Sequence, residues 1–446
     1  MPFDNPKLTL EMNIIGIRRE DKNIWERRAP LAPFQVGELT SVYRTVFYVQ
    51  PSTRRIFSDS EYAQAGAKIC ETLDDCQVIL GIKEIPVNFF RPATTYLFFA
   101  HVIKGQPNNM PMLRQMMTLE CSLIDYEKVT DDQGRRLIFF GRYAGIAGAI
   151  DTLAGLGRRW AVLGYKTPLA ELKLAHEYGT YAAARREIFR VGELLKKTGV
   201  PDELAPLIIG VTGYGNVARG VGEILNELGC TRIDPAELPK VMSSRDPKAV
   251  YEVVFREEHM MEPITEGHEF DLQEYYQYPE RYRSRFESYL PYLSVLLNCI
   301  YWDSRYPRLV TREYLKTATT TGKLRLIIIG DISCDINGSV EVTVKTTDPG
   351  APFYVYNPLD DAVHDGVEGD GVVVMAVDNL PCELASDSSV EFGRALMPFV
   401  PVLAGTNFQV SLDHLTLPPP LQRALILHRG KLTPPYQYLE KFIKKG

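Results

Sequence analysis

The run Gly213-Tyr214-Gly215-Asn216-Val217-Ala218 constrains the fold of this chain more than any other feature of its sequence. It follows the apolar run 207–211 directly and opens the amphipathic stretch 216–228, so it joins a buried strand to a helix. In such a turn the first glycine permits the tight bend, the second lets a pyrophosphate approach the backbone, and the alanine keeps helix and strand close. The spacing alone also arises by chance, but the strand–loop–helix setting favours a dinucleotide-binding βαβ unit.

Two residues near the next predicted strand, 230–233, bear on the kind of dinucleotide that would bind. Asp234 follows Gly213 at about the twenty-residue spacing at which an acidic side chain binds the ribose hydroxyls of NAD. Arg232 lies beside it and suits the 2′-phosphate of NADP instead. Asp234 is equally well placed to cap the turn 235–238. The residues taken alone lean towards NAD without excluding NADP.

The rest of the chain alternates short apolar runs with helical stretches, a pattern that is typical of parallel α/β sheets. Examples of the apolar runs are 13–17, 45–49, 78–82 and 96–100. With 446 residues and 45% hydrophobic content, the chain is long enough for two cores. We therefore predict an α/β fold of two Rossmann-like, doubly wound parallel-sheet domains with a cleft between them.

Composition and strand pattern also predict the boundaries of these domains. The helix 141–156, rich in small residues, is predicted to bridge the two, and the run 371–377 is interpreted as a strand of the first domain. Polar and aromatic residues at 243–292 predict an insertion around the second sheet. The predicted domains are a discontinuous substrate-binding domain at 1–140 plus 356–446 and a dinucleotide-binding domain at 141–355.

Polar side chains follow several of the predicted strands at the point where each strand ends. Lys83 follows the run 78–82 and His101 follows the run 96–100, and ligands of open parallel sheets bind at these carboxyl ends. His101 is the strongest single candidate, because histidine titrates near neutral pH, although each residue by itself also suits an ordinary surface position. Arg28 precedes a proline-flanked helix start and has the planar fork that pairs both oxygens of a carboxylate.

Charge, cysteine content and hydropathy exclude several classes of protein. A formal net charge of −6 gives no electrostatic reason to bind nucleic acid or an acidic membrane. The 7 cysteines are scattered without CxxC spacing, which argues against a disulfide framework or a metal site and for a reducing compartment. No apolar run approaches the about 18 residues of a membrane span, and the N-terminus lacks the features of a signal peptide. We expect small-molecule partners, with no nucleic acid, membrane or metal.

Longer motifs extend over nearly the whole chain apart from residues 169–206. They lie at 26–33 (ERRAPLAP), 81–84 (GIKE), 99–106 (FAHVIKGQ), 134–136 (GRR), 140–145 (FGRYAG), 279–286 (PERYRSRF), 298–302 (NCIYW), 331–333 (DIS) and 377–381 (VDNLP). In combination they resemble lysine-forming saccharopine dehydrogenases, which have the alanine dehydrogenase-like fold. The narrower resemblance is to the lysine–ketoglutarate reductase half of bifunctional aminoadipic semialdehyde synthases.

This resemblance implies roles for residues in both predicted domains. Lys83 and His101 would be the catalytic acid–base pair. The predicted substrate contacts are Arg28, Lys104, Gln106, Glu127, Arg136 and Phe140, and the predicted cofactor contacts are Arg135, Gly213, Tyr214, Gly215, Arg232, Asp234, Asp331 and Ser333. Because bifunctional members use NADPH, the resemblance moves the expectation to NADP(H) as preferred and NAD(H) as a second choice, with Arg232 at the 2′-phosphate.

The implied activity joins L-lysine to 2-oxoglutarate and reduces the imine with NADPH to saccharopine, a reaction of lysine degradation. Two alternatives stay open: an alanine dehydrogenase-like or opine-type amino-acid reductase, and a dinucleotide-binding regulator without catalysis. The presence of both Lys83 and His101 argues against the regulator. The sequence allows a homo-oligomer, and it predicts a cytoplasmic protein if the chain stands alone or a mitochondrial matrix protein if it belongs to a bifunctional enzyme.

Overall fold

A computed structural model describes residues 12–444 of the chain. The chain divides into two compact units, which we call unit 1 and unit 2. Unit 1 runs to Phe140 and resumes at Ala385, and unit 2 comprises Gly141–Leu384. Each unit is built on its own mostly parallel sheet with helices, so the predicted α/β class with two Rossmann-like domains is confirmed.

The first segment of unit 1 alternates strands and helices. Its strands are short and mostly buried, because a parallel sheet has both faces covered and its strands are therefore apolar throughout. The elements are β1 (Ile15–Ile17), α1 (Pro33–Tyr43), β2 (Phe47–Val49), α2 (Asp59–Gln64), β3 (Lys68–Ile69), β4 (Val78–Leu80), β5 (Thr95–Phe98), α3 (Met110–Thr118) and β6 (Ser122–Asp125).

Unit 2 begins with two long helices and continues through the predicted strand–loop–helix motif. Its elements are α4 (Gly141–Val162), α5 (Tyr181–Thr198), β7 (Leu207–Thr212), α6 (Asn216–Leu228), β8 (Thr231–Ile233), α7 (Leu238–Ser244), β9 (Val250–Phe255), α8 (Glu257–Met260), β10 (Met261–Pro263), α9 (Leu272–Gln277), β11 (Tyr282–Ser284), β12 (Val295–Asn298), α10 (Arg312–Thr320), β13 (Ile328–Asp331), β14 (Phe353–Tyr356), β15 (Val363–Asp365) and β16 (Val372–Met375).

The last segment returns to unit 1 and is mainly helical. It contains α11 (Ala385–Leu396), α12 (Val400–Gly405), α13 (Pro419–Ala424), β17 (Leu425–His428), β18 (Lys431–Leu432) and α14 (Glu440–Ile443). Among the described helices, none is long and apolar enough to cross a membrane.

The sheet of unit 1 brings the predicted catalytic residues to one edge. Within residues 12–444 its strand order is β18-β17-β6-β5-β4-β1-β2-β3, and only β17 and β18 run antiparallel to their neighbours. The strands β4, β5 and β6 are adjacent and parallel, so their carboxyl ends lie side by side. Lys83 and His101 follow the ends of β4 and β5, as the sequence predicts, and Glu127 follows the end of β6.

The sheet of unit 2 corrects the predicted domain boundary. Its order in the described part of the chain is β15-β14-β16-β13-β12-β7-β9-β8. The predicted strand at 371–377 is β16, but it pairs with β13 and so belongs to unit 2. Residues 356–384 therefore lie in unit 2, and the chain returns to unit 1 at Ala385 rather than at residue 356.

The predicted insertion at 243–292 is also shorter than expected. The strand β9 falls inside that range, yet it is a central strand that pairs with β7 along its whole length. The segment that stands outside the main sheet runs from α8 to β11 and includes a separate two-stranded ribbon of β10 and β11. The aromatic composition of 243–292 did not reveal this strand, because tyrosine and phenylalanine are common in strands and therefore do not distinguish a strand from an insertion.

The helix α4 begins at the first residue of unit 2 and lies wholly within that unit, and its predicted role as a bridge stays a prediction. It packs on α6 at a very close crossing, where a Cβ built at Gly145 would lie 1.9 Å from the Val217 carbonyl oxygen. A Cβ at Gly220 of α6 would lie 2.0 Å from the Arg142 carbonyl oxygen. The small residues noted in the sequence therefore allow two helix backbones to touch beside the dinucleotide motif.

Candidate functional site

The site in unit 1 centres on His101, which follows β5. Its Nδ1 lies 2.7 Å from Oε1 of Glu84, and its ring is about one-third exposed (32%). Its backbone has a φ of 49°, a left-handed conformation that non-glycine residues adopt rarely. The Asn109 side-chain amide donates to the His101 carbonyl oxygen at 3.0 Å and helps to hold this conformation.

Glu84 is ionised at any pH at which His101 would act as a base. Burial alone would raise the pKa of Glu84, but the hydrogen bond with His101 and the charge of Lys22, 3.0 Å away, outweigh it and hold the pKa well below its usual range. An ionised carboxylate only accepts hydrogen bonds, so the proton of a neutral His101 lies on Nδ1 and its Nε2 is left as the acceptor. Sequence reasoning noted Glu84 only as the neighbour of Lys83 and missed its role.

Lys83 lies on the loop after β4, directly before Glu84. Buried Glu20 shapes this loop by accepting the backbone N–H groups of Ile82 at 2.8 Å and Lys83 at 3.0 Å. Lys83 is half-buried. The structure thus places both predicted acid–base residues after adjacent strands, and Lys83 shares its loop with the carboxylate that orients His101.

Arg28 is buried and already holds a carboxylate of its own chain. Its guanidinium donates to both oxygens of Glu26, with Nε–Oε1 at 2.8 Å and Nη2–Oε2 at 2.5 Å. It also stacks 4.1 Å from the centre of the Phe140 ring. The centre of the Phe99 ring lies 6.1 Å from that of Phe140 and 6.2 Å from that of the His101 ring. Ring contacts through Phe140 and Phe99 therefore link Arg28 to His101.

The other predicted substrate residues lie on neighbouring loops of unit 1. The Arg136 guanidinium reaches Oε1 of Glu127 at 3.2 Å and is exposed. The Gln106 side chain accepts the backbone N–H of exposed Lys104 at 3.1 Å. The roles of these polar groups stay predictions.

Arg135, predicted to contact the cofactor, lies in the same unit as the substrate candidates. Its side chain is exposed and pairs with Asp131 at 2.7 Å. Nothing in this local geometry favours a cofactor role over a loop-stabilising one.

The carboxyl of Asp125 at the end of β6 is buried, and Asp125 was not among the predicted site residues. Its Oδ1 accepts the Glu127 N–H at 2.9 Å and its Oδ2 accepts the Ala100 N–H at 3.3 Å. Burial, with a contribution from the nearby Glu127 charge, raises the pKa of Asp125 to about 7. A buried carboxyl whose pKa is raised towards neutral pH therefore lies beside the backbone of His101.

The dinucleotide motif of unit 2 has the geometry that the sequence predicts. Gly213 has a φ of 83°, which favours glycine, and its N–H donates to the Phe255 carbonyl oxygen at 2.9 Å. Gly215 is the capping residue directly before α6, and within the described residues no side chain caps this helix start. Free N–H groups of a first helical turn bind phosphates well. The residues present therefore fit the pyrophosphate of a dinucleotide.

A cavity of about 930 Å³ opens beside this turn and contains both residues that were predicted to read the ribose. Asp234 caps the turn that follows it, because its Oδ1 accepts the Ala236 N–H at 2.9 Å, which is the alternative foreseen from the sequence. Arg232 is held in a two-point contact with Glu252, at 2.8 Å and 3.3 Å. Lining residues from the same cavity that the sequence did not single out are Arg219, Arg256 and His259.

A second cavity of about 390 Å³ also borders the glycine turn. It touches Gly213, Tyr214 and Gly215 and is walled mainly by aromatic rings, namely Tyr275, Tyr276, Tyr301 and Tyr306. Two of these rings come from α9, in the segment outside the main sheet. An aromatic-lined cavity next to a phosphate-binding turn suits a nucleotide base.

Asp331 belongs to a buried polar network that joins the strand ends below the glycine turn. Asn298 donates to Asp331 Oδ1 at 2.8 Å and accepts from Thr212 at 2.8 Å, so β7, β12 and β13 are tied together. Burial raises the pKa of Asp331 to about 6. Ser333 donates to the Ile300 carbonyl oxygen and ties the loops that follow β12 and β13. Both predicted cofactor residues thus stabilise the carboxyl edge of this sheet.

In the described part of the chain, no group of three or more His, Cys, Asp or Glu side chains is arranged to hold a metal ion.

Comparison with known proteins finds two family models that match parts of this chain. Residues 16–147 match the family model "Alanine dehydrogenase/PNT, N-terminal domain", and residues 299–435 match "Alanine dehydrogenase/PNT, C-terminal domain". A solved L-alanine dehydrogenase covers 96% of this chain and 99% of its own length with a TM-score of 0.61, at 18% identity. That likeness concerns the fold.

Curated relatives are closer in sequence. "Alpha-aminoadipic semialdehyde synthase" of Arabidopsis thaliana is 39% identical over 97% of this chain, and the mitochondrial enzyme of that name from Bos taurus is 37% identical over 96%. The chain spans only 42% and 48% of their respective lengths. "Saccharopine dehydrogenase [NAD(+), L-lysine-forming]" of Emericella nidulans is 28% identical, with coverage of 86% of this chain and 91% of the relative.

Proposed function

We infer the function of this chain, which belongs to the alanine dehydrogenase/PNT family, from its relatives and from the pairing of His101 with Glu84. We propose that it is an oxidoreductase of lysine degradation that condenses L-lysine with 2-oxoglutarate and reduces the resulting imine to saccharopine. The observation that carries the proposal is a histidine, oriented by an ionised carboxylate, at the carboxyl edge of a parallel sheet.

The histidine suits the first proton transfer of this reaction. A free lysine ε-amine has a pKa of about 10.4, so it must lose a proton before it attacks a carbonyl carbon. Because Glu84 keeps the ring proton of His101 on Nδ1, Nε2 is free to take that proton. General-base help of this kind is worth roughly 10²–10⁴-fold in rate.

Lys83 would serve the second proton transfer of the reaction. Loss of water from the carbinolamine needs an acid at the leaving hydroxyl, and a lysine ammonium on the next strand end can supply it. The substrates carry several carboxylates, and Arg136 offers an exposed guanidinium for them, while buried Arg28 does so only by sharing its fork with Glu26. Phe140 would pack against the aliphatic part of a substrate.

The bound cofactor would be a nicotinamide dinucleotide, which supplies the hydride. The turn at Gly213–Gly215 and the open start of α6 would bind its pyrophosphate. We propose NADP(H) as the preferred form and NAD(H) as a second choice. The Emericella nidulans relative carries NAD(+) in its name, so cofactor preference is a separate question from the reaction.

Other parts of the proposal follow the relatives. The partners would be the small molecules L-lysine, 2-oxoglutarate and saccharopine, with self-association to be measured by light scattering. Because the bovine relative is named as mitochondrial, the mitochondrial matrix is the compartment that we propose for this chain where it forms part of a bifunctional enzyme.

The test is to follow NADPH oxidation with L-lysine plus 2-oxoglutarate, then with each substrate omitted, and to identify the product by mass spectrometry. We expect oxidation only with both substrates and a product of the mass of saccharopine. Turnover with pyruvate and ammonia instead would favour an alanine dehydrogenase-like enzyme. Dinucleotide binding without turnover on any amino-acid and keto-acid pair would favour a regulator and refute the proposal.

A further inference from the structure

We propose that Arg256, rather than Arg232, binds the 2′-phosphate of the dinucleotide and so makes this chain select NADP(H). The inference rests on the proposed function only in that unit 2 binds a nicotinamide dinucleotide. It concerns a residue that lies outside every motif singled out in the sequence.

The order of strands in unit 2 places Arg256 where a ribose-reading residue belongs. In the usual dinucleotide fold, the strand after the glycine turn and its helix lies beside the first strand and ends in the residue that reads the ribose. Here that strand, β8, is at the sheet edge, and β9 takes the place beside β7. Arg256 directly follows β9, whereas Asp234 follows a strand one position further away.

The glycine turn is attached to the end of β9. The Gly213 N–H donates to the carbonyl oxygen of Phe255, the last residue of that strand, at 2.9 Å. The next residue is Arg256, and its guanidinium carbon lies 5.1 Å from the centre of the Tyr214 ring, inside the motif itself. A phosphate on the ribose next to this turn would therefore lie within reach of Arg256.

Arg232 is poorly suited to the same task because its charge is already matched. Its guanidinium makes two hydrogen bonds to the nearly buried carboxylate of Glu252. A phosphate placed there would either displace Glu252, leaving a buried carboxylate without its partner, or lie beside it and be repelled. Both outcomes cost free energy.

The remaining charges of the cavity favour an anion near Arg256. Within residues 12–444, neither Arg256 nor Arg219 forms an ion pair, and Arg219 lies in the first turn of α6. The acidic Glu223 of the same lining is paired with Arg142 at 2.6 Å. With the Arg232–Glu252 and Arg142–Glu223 pairs set aside, two arginines face a single carboxylate, Asp234, so the cavity keeps an excess of positive charge.

The test measures binding directly, so that it does not depend on which substrates are reduced. The affinities of NADPH, NADH and adenosine 2′,5′-bisphosphate are measured by calorimetry for the wild type, Arg256→Ala, Arg256→Lys and Arg232→Ala. We expect Arg256→Ala to weaken NADPH and the bisphosphate by roughly 10- to 100-fold, the loss of a charged hydrogen bond. NADH should change by less than about threefold, and Arg256→Lys should recover part of the loss. Arg232→Ala, which removes the same charge from the same cavity, should change NADPH and NADH by the same factor.

Several results would overturn the assignment. A loss selective for NADPH in Arg232→Ala would return the role to Arg232, and equal losses of NADPH and NADH in Arg256→Ala would remove it from Arg256. A wild type that binds NADH more tightly than NADPH would point to Asp234 as the ribose reader. If Arg256→Ala has no selective effect on NADPH but the wild type turns over lysine with 2-oxoglutarate, only the assignment of Arg256 is refuted. If Arg256→Ala weakens NADPH selectively but the wild type shows no such turnover, only the proposed function is refuted.

Discussion

At the scale of single residues, His101 has a backbone conformation that non-glycine residues rarely adopt. A non-glycine residue with a φ of 49° carries a backbone strain of about 1–3 kcal/mol. The strain persists because Glu84 holds the ring and Asn109 holds the carbonyl oxygen. Strained residues of this kind cluster at functional sites, and this one stands where a strand end meets an ionised carboxylate.

The first prediction at this scale is that His101→Ala lowers turnover by about 10²-fold or more, since a general base acts on the transition state. The affinity for NADPH, measured by calorimetry, should be nearly unchanged, because the glycine turn that we propose to bind the pyrophosphate lies in unit 2. Lys83→Met should behave similarly, and the double variant should lose much less than the sum of the two free energies.

The pH profile of turnover gives an independent control for that prediction. At least one ionisation of the wild type should disappear in His101→Ala. Glu84→Gln keeps an acceptor for the ring but removes its charge, so it should lower turnover without altering NADPH affinity. Near-normal turnover in His101→Ala would show that the histidine is only a well-satisfied strand-end residue.

At the scale of elements, the contact between α4 and α6 fixes the helix that begins at the glycine turn. Gly145 and Gly220 let the two backbones approach so closely that any Cβ would meet a carbonyl oxygen of the other helix. The motif of α6 therefore depends on a second helix about 70 residues away in the chain, beyond the reach of the usual fingerprint.

We predict that Gly220→Ala lowers the free energy of unfolding by about 1–3 kcal/mol, because the methyl group forces the helices apart. Gly222→Ala on the same helix is the matched control, since its Cβ would meet only Glu252 Oε1, at 3.9 Å. That control should be neutral or gain about 0.5–1 kcal/mol from better helix propensity. Thermal and urea unfolding measure both changes. Equal effects of the two substitutions would contradict a role for close helix contact.

At the scale of the whole molecule, buried carboxyl groups in both units shape the dependence of stability on pH. Burial raises the pKa of Asp125 to about 7 in unit 1 and that of Asp331 to about 6 in unit 2. Burial also raises the pKa of Glu383 to about 8, and burial with the adjacent Glu383 charge raises that of Asp151 well above its usual value. Each of these groups binds its proton more tightly in the folded chain than in the unfolded one.

The sign of the effect follows from proton linkage. Between about pH 4, where these carboxyls titrate in an unfolded chain, and about pH 8, the folded state holds more protons, so stability falls as pH rises. Carboxylates with lowered pKa, such as Glu84 and Glu187, act oppositely and lose their contribution as pH falls below about 4.5. We therefore predict the highest melting temperature near pH 5 and a steady decline towards pH 8.5.

Glu383→Gln should flatten that decline, because an amide keeps the shape of the side chain but does not titrate. Glu258→Gln, at an exposed carboxylate, serves as the control and should leave the decline unchanged. Melting temperatures between pH 4.5 and 8.5 test the prediction. A Glu383→Gln variant with the full wild-type decline would show that other groups control it.

The sequence by itself determined the local units: the strand–loop–helix at Gly213, the apolar strands, and the polar residues that follow the ends of β4 and β5. These features depend on periodicity, glycine conformation and short-range spacing, which are written along the chain. Only the tertiary structure decided that β9 lies beside β7 and that β16 joins the second sheet. It also decided that Glu84 pairs with His101 and that Glu252 pairs with Arg232. Strand order and side-chain pairing are long-range choices set by burial and charge in three dimensions, and neighbouring residues in a sequence do not carry that information.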